Sequence, residues 1–169
     1  MKTKSVQNLV QGALIAALYA VLTLTVAPLS FDFGIQLRLS EALCVLPLLT
    51  PVAIPGLTVG CIISNAIGVA MGLSILPDIF FGSCATLIAA LLTHLMRNMT
   101  VKKLPLLPLL PPVVVNAIIV GVEFSLFMPG ESAFFISTLM VGLSEACVVY
   151  ILGIPLYFVL RRLNIFKSE

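Results

Sequence analysis

Long apolar stretches separated by prolines, glycines and isolated charges recur along this chain, over residues 9–27, 39–54, 55–76, 78–96, 108–128 and 132–160. About 20 apolar residues carry a helix across the hydrocarbon core of a bilayer. The pattern therefore predicts an all-α integral membrane protein with six transmembrane helices in a single membrane domain, residues 1–169. Composition excludes the soluble alternative: 60% of residues are hydrophobic and 9% charged, too little polarity to cover a globule in water. The first stretch is longer than the apolar core of a secretory signal and is followed by more spans, so it reads as a retained helix.

Local features refine the spans. The second, from Leu39, is short and interrupted by Pro47 and Pro51, which predicts a tilted or kinked element, or one continued toward Ile54. Along the third, Gly56, Gly60, Ser64, Gly68 and Gly72 recur every four residues, making a face against which a neighbouring helix packs closely. The first helix carries Gly12, Ala16 and Ala20 at the same spacing, with Ala13 and Ala17 beside them. Packing inside the bundle and docking of an outside helix both fit that ridge. Pro105, Pro108, Pro111 and Pro112 sit in a wholly apolar run and read as a membrane entry instead of a polyproline ligand. Cys44, Cys61, Cys84 and Cys147 fall one per apolar stretch with no CxxC or Cys/His cluster, so they pack as small hydrophobes and no metal site is expected. The single histidine, His94, lies one turn from Arg97 and reads as interfacial.

Charge position sets the orientation. With six spans both termini share a side, and Lys2, Lys4, Arg97, Lys102, Lys103, Arg161, Arg162 and Lys167 all fall on it, which makes it cytoplasmic by the positive-inside rule. Arg38 is the exception, expected in the first outer loop beside Gln36, Ser40 and Glu41. The acids follow the opposite pattern. Asp32, Glu41, Asp78 and Glu131 lie at or near outer ends. Glu123 falls about 7 Å below the outer end of its helix, and Glu145 about 20 Å from Ser132, near the midplane.

A carboxylate within hydrocarbon costs roughly 2.5–3.5 kcal/mol on insertion scales, so Glu123 and Glu145 are expected to face protein or a polar cavity. Asn116 lies seven residues before Glu123, on about the same helical face, and Asn65 lies beside the glycine ridge of the third span. Asn65 suits an interhelical hydrogen bond or a ligand contact equally well. Together these residues predict an outer polar pocket with more carboxylates than cations, fitted to a small cationic or amide-rich ligand.

The stretch FGIQLRLSEALCVLPLLTPVAIPGLTVGCIISN, followed by LPDIFFGSCATLIAALL, VVVNAIIVGVEF and SEACVVYILGIPL, resembles the QueT family of queuosine-precursor transporters, the membrane S-components of energy-coupling factor (ECF) importers. The resemblance implies a six-helix S-component in the cell membrane, taking substrate from outside and working with a T-component and two ATPase subunits. It implies that the first-helix ridge of Ala13, Ala16, Ala17 and Ala20 docks the T-component. The implied substrate is a 7-deazaguanine, such as 7-aminomethyl-7-deazaguanine (preQ1) or queuine. Its base edge and ammonium would meet Glu41, Glu123, Glu145 and Asp78, with amide contacts from Asn65 and Asn116. Gln36 and Arg38 would touch the ligand or hold the first loop closed over it.

No GxxxxGK[ST] sequence occurs, so the chain needs no cofactor of its own and ATP is expected on the separate subunits. No HExxH or nucleophile–His pattern points to an enzyme, and no nucleic-acid partner is expected. Two alternatives remain within transport: an S-component for another vitamin or cationic metabolite, and a stand-alone proton-coupled carrier using Glu123 and Glu145 as a relay.

Overall fold

The computed structural model describes residues 2–32, 36–101, 104–127, 133–163 and 166. Lys102, Lys103, Lys167 and Glu131, named above for their charge, lie outside the described residues, as do Phe33 and Gly34. Among the described residues the fold is all-helical, with no strand beyond an isolated bridge between Val101 and Leu104.

Helix α1 spans Lys2–Thr25 and the single turn α2 spans Ala27–Ser30, with Pro28 in its first turn. A 3-10 helix, Leu39–Leu48, follows the first loop. Helices α3 (Ala53–Ala70), α4 (Leu76–Leu95) and α5 (Leu110–Phe127) come next. The last stretch is α6 (Ala133–Ala146), a π-helical segment (Cys147–Gly153) and α7 (Ile154–Leu163). Among the described residues five elements, the last combining α6, the π segment and α7, are long and apolar enough to cross a membrane.

The second expected span takes a different form from the rest. Residues 39–54 do not make one α-helix: ten of them form the 3-10 helix, about 20 Å long at 3-10 rise, and α3 already begins at Ala53. Pro47 lies inside it and can donate no ladder hydrogen bond. The shortness is tolerated because the element is central, with all of Ser40 to Pro47 buried by α1, α3, α4 and the π segment. Helix α3 also ends earlier than residue 76. Gly72 adopts φ 71, and the Leu73 amide turns back to the Gly68 carbonyl at 2.9 Å, closing the helix with a left-handed glycine. Pro155 would leave the Ile151 carbonyl without an α-helical donor, and the widened π turn covers that region.

Packing between α1 and α3 uses the small residues of both. A Cβ on Gly56 would meet the Gly12 carbonyl oxygen and Ile15 Cβ at 3.0 Å, and one on Gly60 would meet Tyr19 Cβ at 2.7 Å and the Ala16 carbonyl at 2.8 Å. Ala16 and Ala20 are thus buried in this seam, while Ala13 and Ala17 stay exposed. The ridge expected as one docking surface is divided: half of it packs against α3. Helices α3, α4, α5 and α6 then pack in succession, and the π segment closes on the 3-10 helix. Large apolar side chains such as Leu18, Phe80, Ile118, Phe135 and Leu139 face outward, a surface suited to lipid.

Contacts also order the two ends of the bundle. Gly12 lies by Val52, and His94 Nδ1 donates to the Pro47 carbonyl at 2.7 Å, so early α1, the end of the 3-10 helix, the start of α3 and the end of α4 meet. Lys4, Arg97, Arg161 and Arg162 are exposed. Arg38 and Asp78 sit at the opposite end, where Phe31 covers Gly68.

Candidate functional site

All eight residues expected in the outer pocket are buried: Gln36, Arg38, Glu41, Asn65, Asp78, Asn116, Glu123 and Glu145. They arrive from five separate segments of chain. The first loop and the 3-10 helix supply Gln36, Arg38 and Glu41; α3, α4, α5 and α6 supply the others.

Arg38 and Asp78 form an ion pair at the end of the bundle opposite Arg97. Arg38 Nη2 donates to Asp78 Oδ1 and Oδ2 at 3.3 and 3.2 Å, and Nε donates to the Ser30 carbonyl at 3.2 Å. The guanidinium also lies 5.6 Å from the Phe31 ring centroid. Asp78 accepts a further hydrogen bond from Ser74 Oγ at 2.6 Å. Its carboxylate and the Arg38 head are therefore committed to each other and to the loops around them. Arg38 is thus a clamp between the first loop and the start of α4 rather than a snorkelling lipid contact.

Asn65 continues this network by its amide nitrogen. Nδ2 donates to the Asp78 carbonyl at 2.9 Å, and only the nitrogen end of the amide can serve a carbonyl acceptor. That contact fixes the flip of the side chain and leaves Asn65 Oδ1 buried with no hydrogen-bond partner among the described residues. Gly82 admits this arrangement, because a Cβ there would meet Asn65 Nδ2 at 2.7 Å and Asp78 Oδ1 at 3.1 Å.

A second network runs deeper. Tyr19 donates its hydroxyl to Glu41 Oε1, and Cys44 Sγ donates to Oε2 at 2.9 Å. Glu145 lies in side-chain contact with Glu41, and its Oε1 accepts from Asn116 Nδ2 at 3.0 Å. Two carboxylates in contact repel unless a proton or a cation lies between them. Gln36 approaches from the loop with φ 43, a left-handed conformation that costs a non-glycine residue about 1–2 kcal/mol, and its carbonyl accepts from Ser144 Oγ at 3.5 Å. The Ser144 hydroxyl shares its one proton with the Val141 carbonyl at 2.9 Å, so the loop lies beside α6 one residue from Glu145.

Glu123 differs from the other acids. It is fully buried on α5, and neither carboxylate oxygen has a hydrogen-bond partner among the described residues. The charged groups acting on it are Asp78 and Arg38. Asn116 shares its inward face, as their spacing predicts.

Cys44 and Ser144 join these networks without having been expected site residues, and so do three other side chains. Tyr19 and Thr23 project from the buried face of α1, and Thr23 Oγ1 donates to Ser40 Oγ at 2.7 Å. Ser74 is the third. A signal existed for the first two: they continue the small-residue face at three residues beyond Ala16 and Ala20, where a polar group in a lipid-embedded helix needs a partner. An apolar groove of about 740 Å³ between α3, α4 and α5, lined by Ile62, Phe80, Phe81, Leu87 and Phe127, opens outward and carries none of the charged groups.

Comparison with curated proteins and with solved structures returns no match. A sequence model described as QueT transporter matches residues 9–162, which takes in every residue of both networks. With that match over nearly its whole length, the chain belongs to the QueT transporter family.

Proposed function

We propose that this chain is the substrate-capturing S-component of an ATP-driven ECF importer for a queuosine precursor, a 7-deazaguanine such as preQ1 or queuine. The transporter family supports transport and not catalysis. In this reading the chain forms one domain crossing the cell membrane six times, the 3-10 helix and its flanks serving as the second crossing. The arginine- and lysine-bearing end is cytoplasmic and the Arg38 end faces out.

One observation carries the substrate class. Of the six buried side-chain atoms without a hydrogen-bond partner among the described residues, three are the hydroxyls of Ser83, Thr93 and Thr138, and the other three, Asn65 Oδ1 and both carboxylate oxygens of Glu123, are acceptors. A ligand that satisfies them must bring N–H groups, and a guanine-like base with an ammonium arm is rich in them. Gln36 and Arg38 hold the first loop over the site, and Glu41, Glu145 and Asn116 form its deeper wall. ATP hydrolysis belongs to two partner ATPase subunits, coupled through a T-component. The docking face is the part of α1 that the bundle leaves open, around Ala13 and Ala17, with Ala16 and Ala20 setting the position of α1 against α3.

Calorimetric titration of the detergent-purified chain tests the reading. Binding of 7-aminomethyl-7-deazaguanine with no measurable binding of guanine is the expected result. Failure of the deazaguanine to bind, with another vitamin binding instead, refutes the substrate class. Proton-driven uptake by the purified chain alone in vesicles refutes dependence on ATPase subunits and returns Glu123 and Glu145 to a relay role.

A further inference from the structure

Four carboxylates are buried in the site, and their surroundings are not equivalent. Asp78 is held by Arg38 and Ser74. Glu41 is held by Tyr19 and Cys44, and Glu145 by Asn116 and its contact with Glu41. Glu123 alone among them offers two oxygens that no described residue engages, although it is fully buried.

A carboxylate with both oxygens open is matched by two parallel N–H donors on a planar group, the geometry that makes guanidinium–carboxylate pairs bidentate. The ring N–H and exocyclic amino group of a guanine-like base form such a pair. A single ammonium arm has no need of a planar two-oxygen acceptor. It suits the other cluster, where Glu41 and Glu145 touch and a positive group between them would relieve their repulsion. Asn65 Oδ1 is a further open acceptor near the same outer end, its position set by the Asp78 carbonyl.

We infer that Glu123 reads the cyclic amidine edge of the ligand, accepting its ring N–H and amino group together, while the contacting pair Glu41–Glu145 receives the ammonium arm. The assignment rests on the deazaguanine reading given above. It makes Glu123 the residue that distinguishes a 2-amino base from one without that group. It also explains a carboxylate that makes no contribution to the protein's own hydrogen bonding among the described residues.

Three probes separate the roles: 7-aminomethyl-7-deazaguanine, the same base lacking the 2-amino group, and the 2-amino base with an uncharged 7-methyl arm. Wild-type protein should bind the first about 10- to 100-fold more tightly than the second, the value of a hydrogen bond to a charged acceptor. Glu123→Gln should bind the first two within about threefold of each other, because its amide presents a donor where an acceptor is needed. Its preference for the aminomethyl over the methyl arm should persist. Glu123→Met serves as the second variant should the first not purify as a monodisperse protein. Retention of the 2-amino preference in either folded variant overturns the assignment. So does loss of the arm preference alone, which would place the ammonium on Glu123. Failure of wild type to bind any of the three refutes the substrate reading itself, and the assignment with it.

Discussion

Replacing Gly60 by alanine should separate α1 from α3 and disturb the site through Tyr19. The added Cβ would lie 2.7 Å from Tyr19 Cβ, 2.8 Å from the Ala16 carbonyl oxygen and 3.1 Å from Ala16 Cα. None of these atoms moves aside by a side-chain rotation, so the helices themselves must part. Overpacking of this kind costs about 1–3 kcal/mol, and rigid backbone neighbours put Gly60 near the top of that range. Alanine returns about 0.5–1 kcal/mol of helix preference, leaving a net loss of about 2 kcal/mol. For a chain of this size that corresponds to a drop of about 4–8 °C in the melting temperature of the detergent-solubilised protein. Gly12 lies on the same seam, but a Cβ there would meet Val52 Cγ1 at an ordinary 3.5 Å, so Gly12→Ala should melt at or slightly above wild type. The assay is a thermal melt of both variants in one detergent, followed by ligand titration. A Gly60→Ala protein that melts within about a degree of wild type, or a Gly12→Ala protein that falls equally far, would refute the close-packing argument.

Other perturbations probe the two polar networks. Asp78→Asn leaves the Arg38 guanidinium buried without its counter-charge and should cost about 3–5 kcal/mol, while an Arg38→Met/Asp78→Leu double variant should melt closer to wild type; equal or additive losses would refute the ion-pair clamp. Tyr19→Phe keeps the ring packed against α3 but removes the donor to Glu41, and should lower stability by about 1–3 kcal/mol by thermal melt; an unchanged melt would show that the hydroxyl contact contributes nothing.

Secondary structure was largely legible in the sequence because hydropathy in a membrane chain is a one-dimensional signal. The apolar runs starting near Leu9, Pro55, Asp78, Pro108 and Ser132 all contain or become long helices. Their ends were less legible where backbone conformation decided them. Gly72 stops α3 through a positive φ, and composition alone does not separate that glycine from Gly68, which stays helical. The 3-10 form of Leu39–Leu48 depends on its burial among the neighbouring elements, which local propensity does not encode.

The site divides in the same way. That Arg38, Glu41, Asn65, Asp78, Asn116, Glu123 and Glu145 would turn inward follows from the cost of exposing charge or amide to hydrocarbon, and all of them are buried. Sequence thus determined which residues are polar and intramembrane. It could not determine their partners, because hydrogen bonding depends on atoms brought together from helices distant in the chain. Only the tertiary structure decided that Arg38 is bound to Asp78, that Tyr19 and Cys44 occupy Glu41, and that Glu145 touches Glu41 while no described residue engages either Glu123 oxygen. It likewise decided which half of the alanine ridge faces α3, since helical period places Ala16 and Ala13 on neighbouring stripes but only the position of α3 says which stripe is covered.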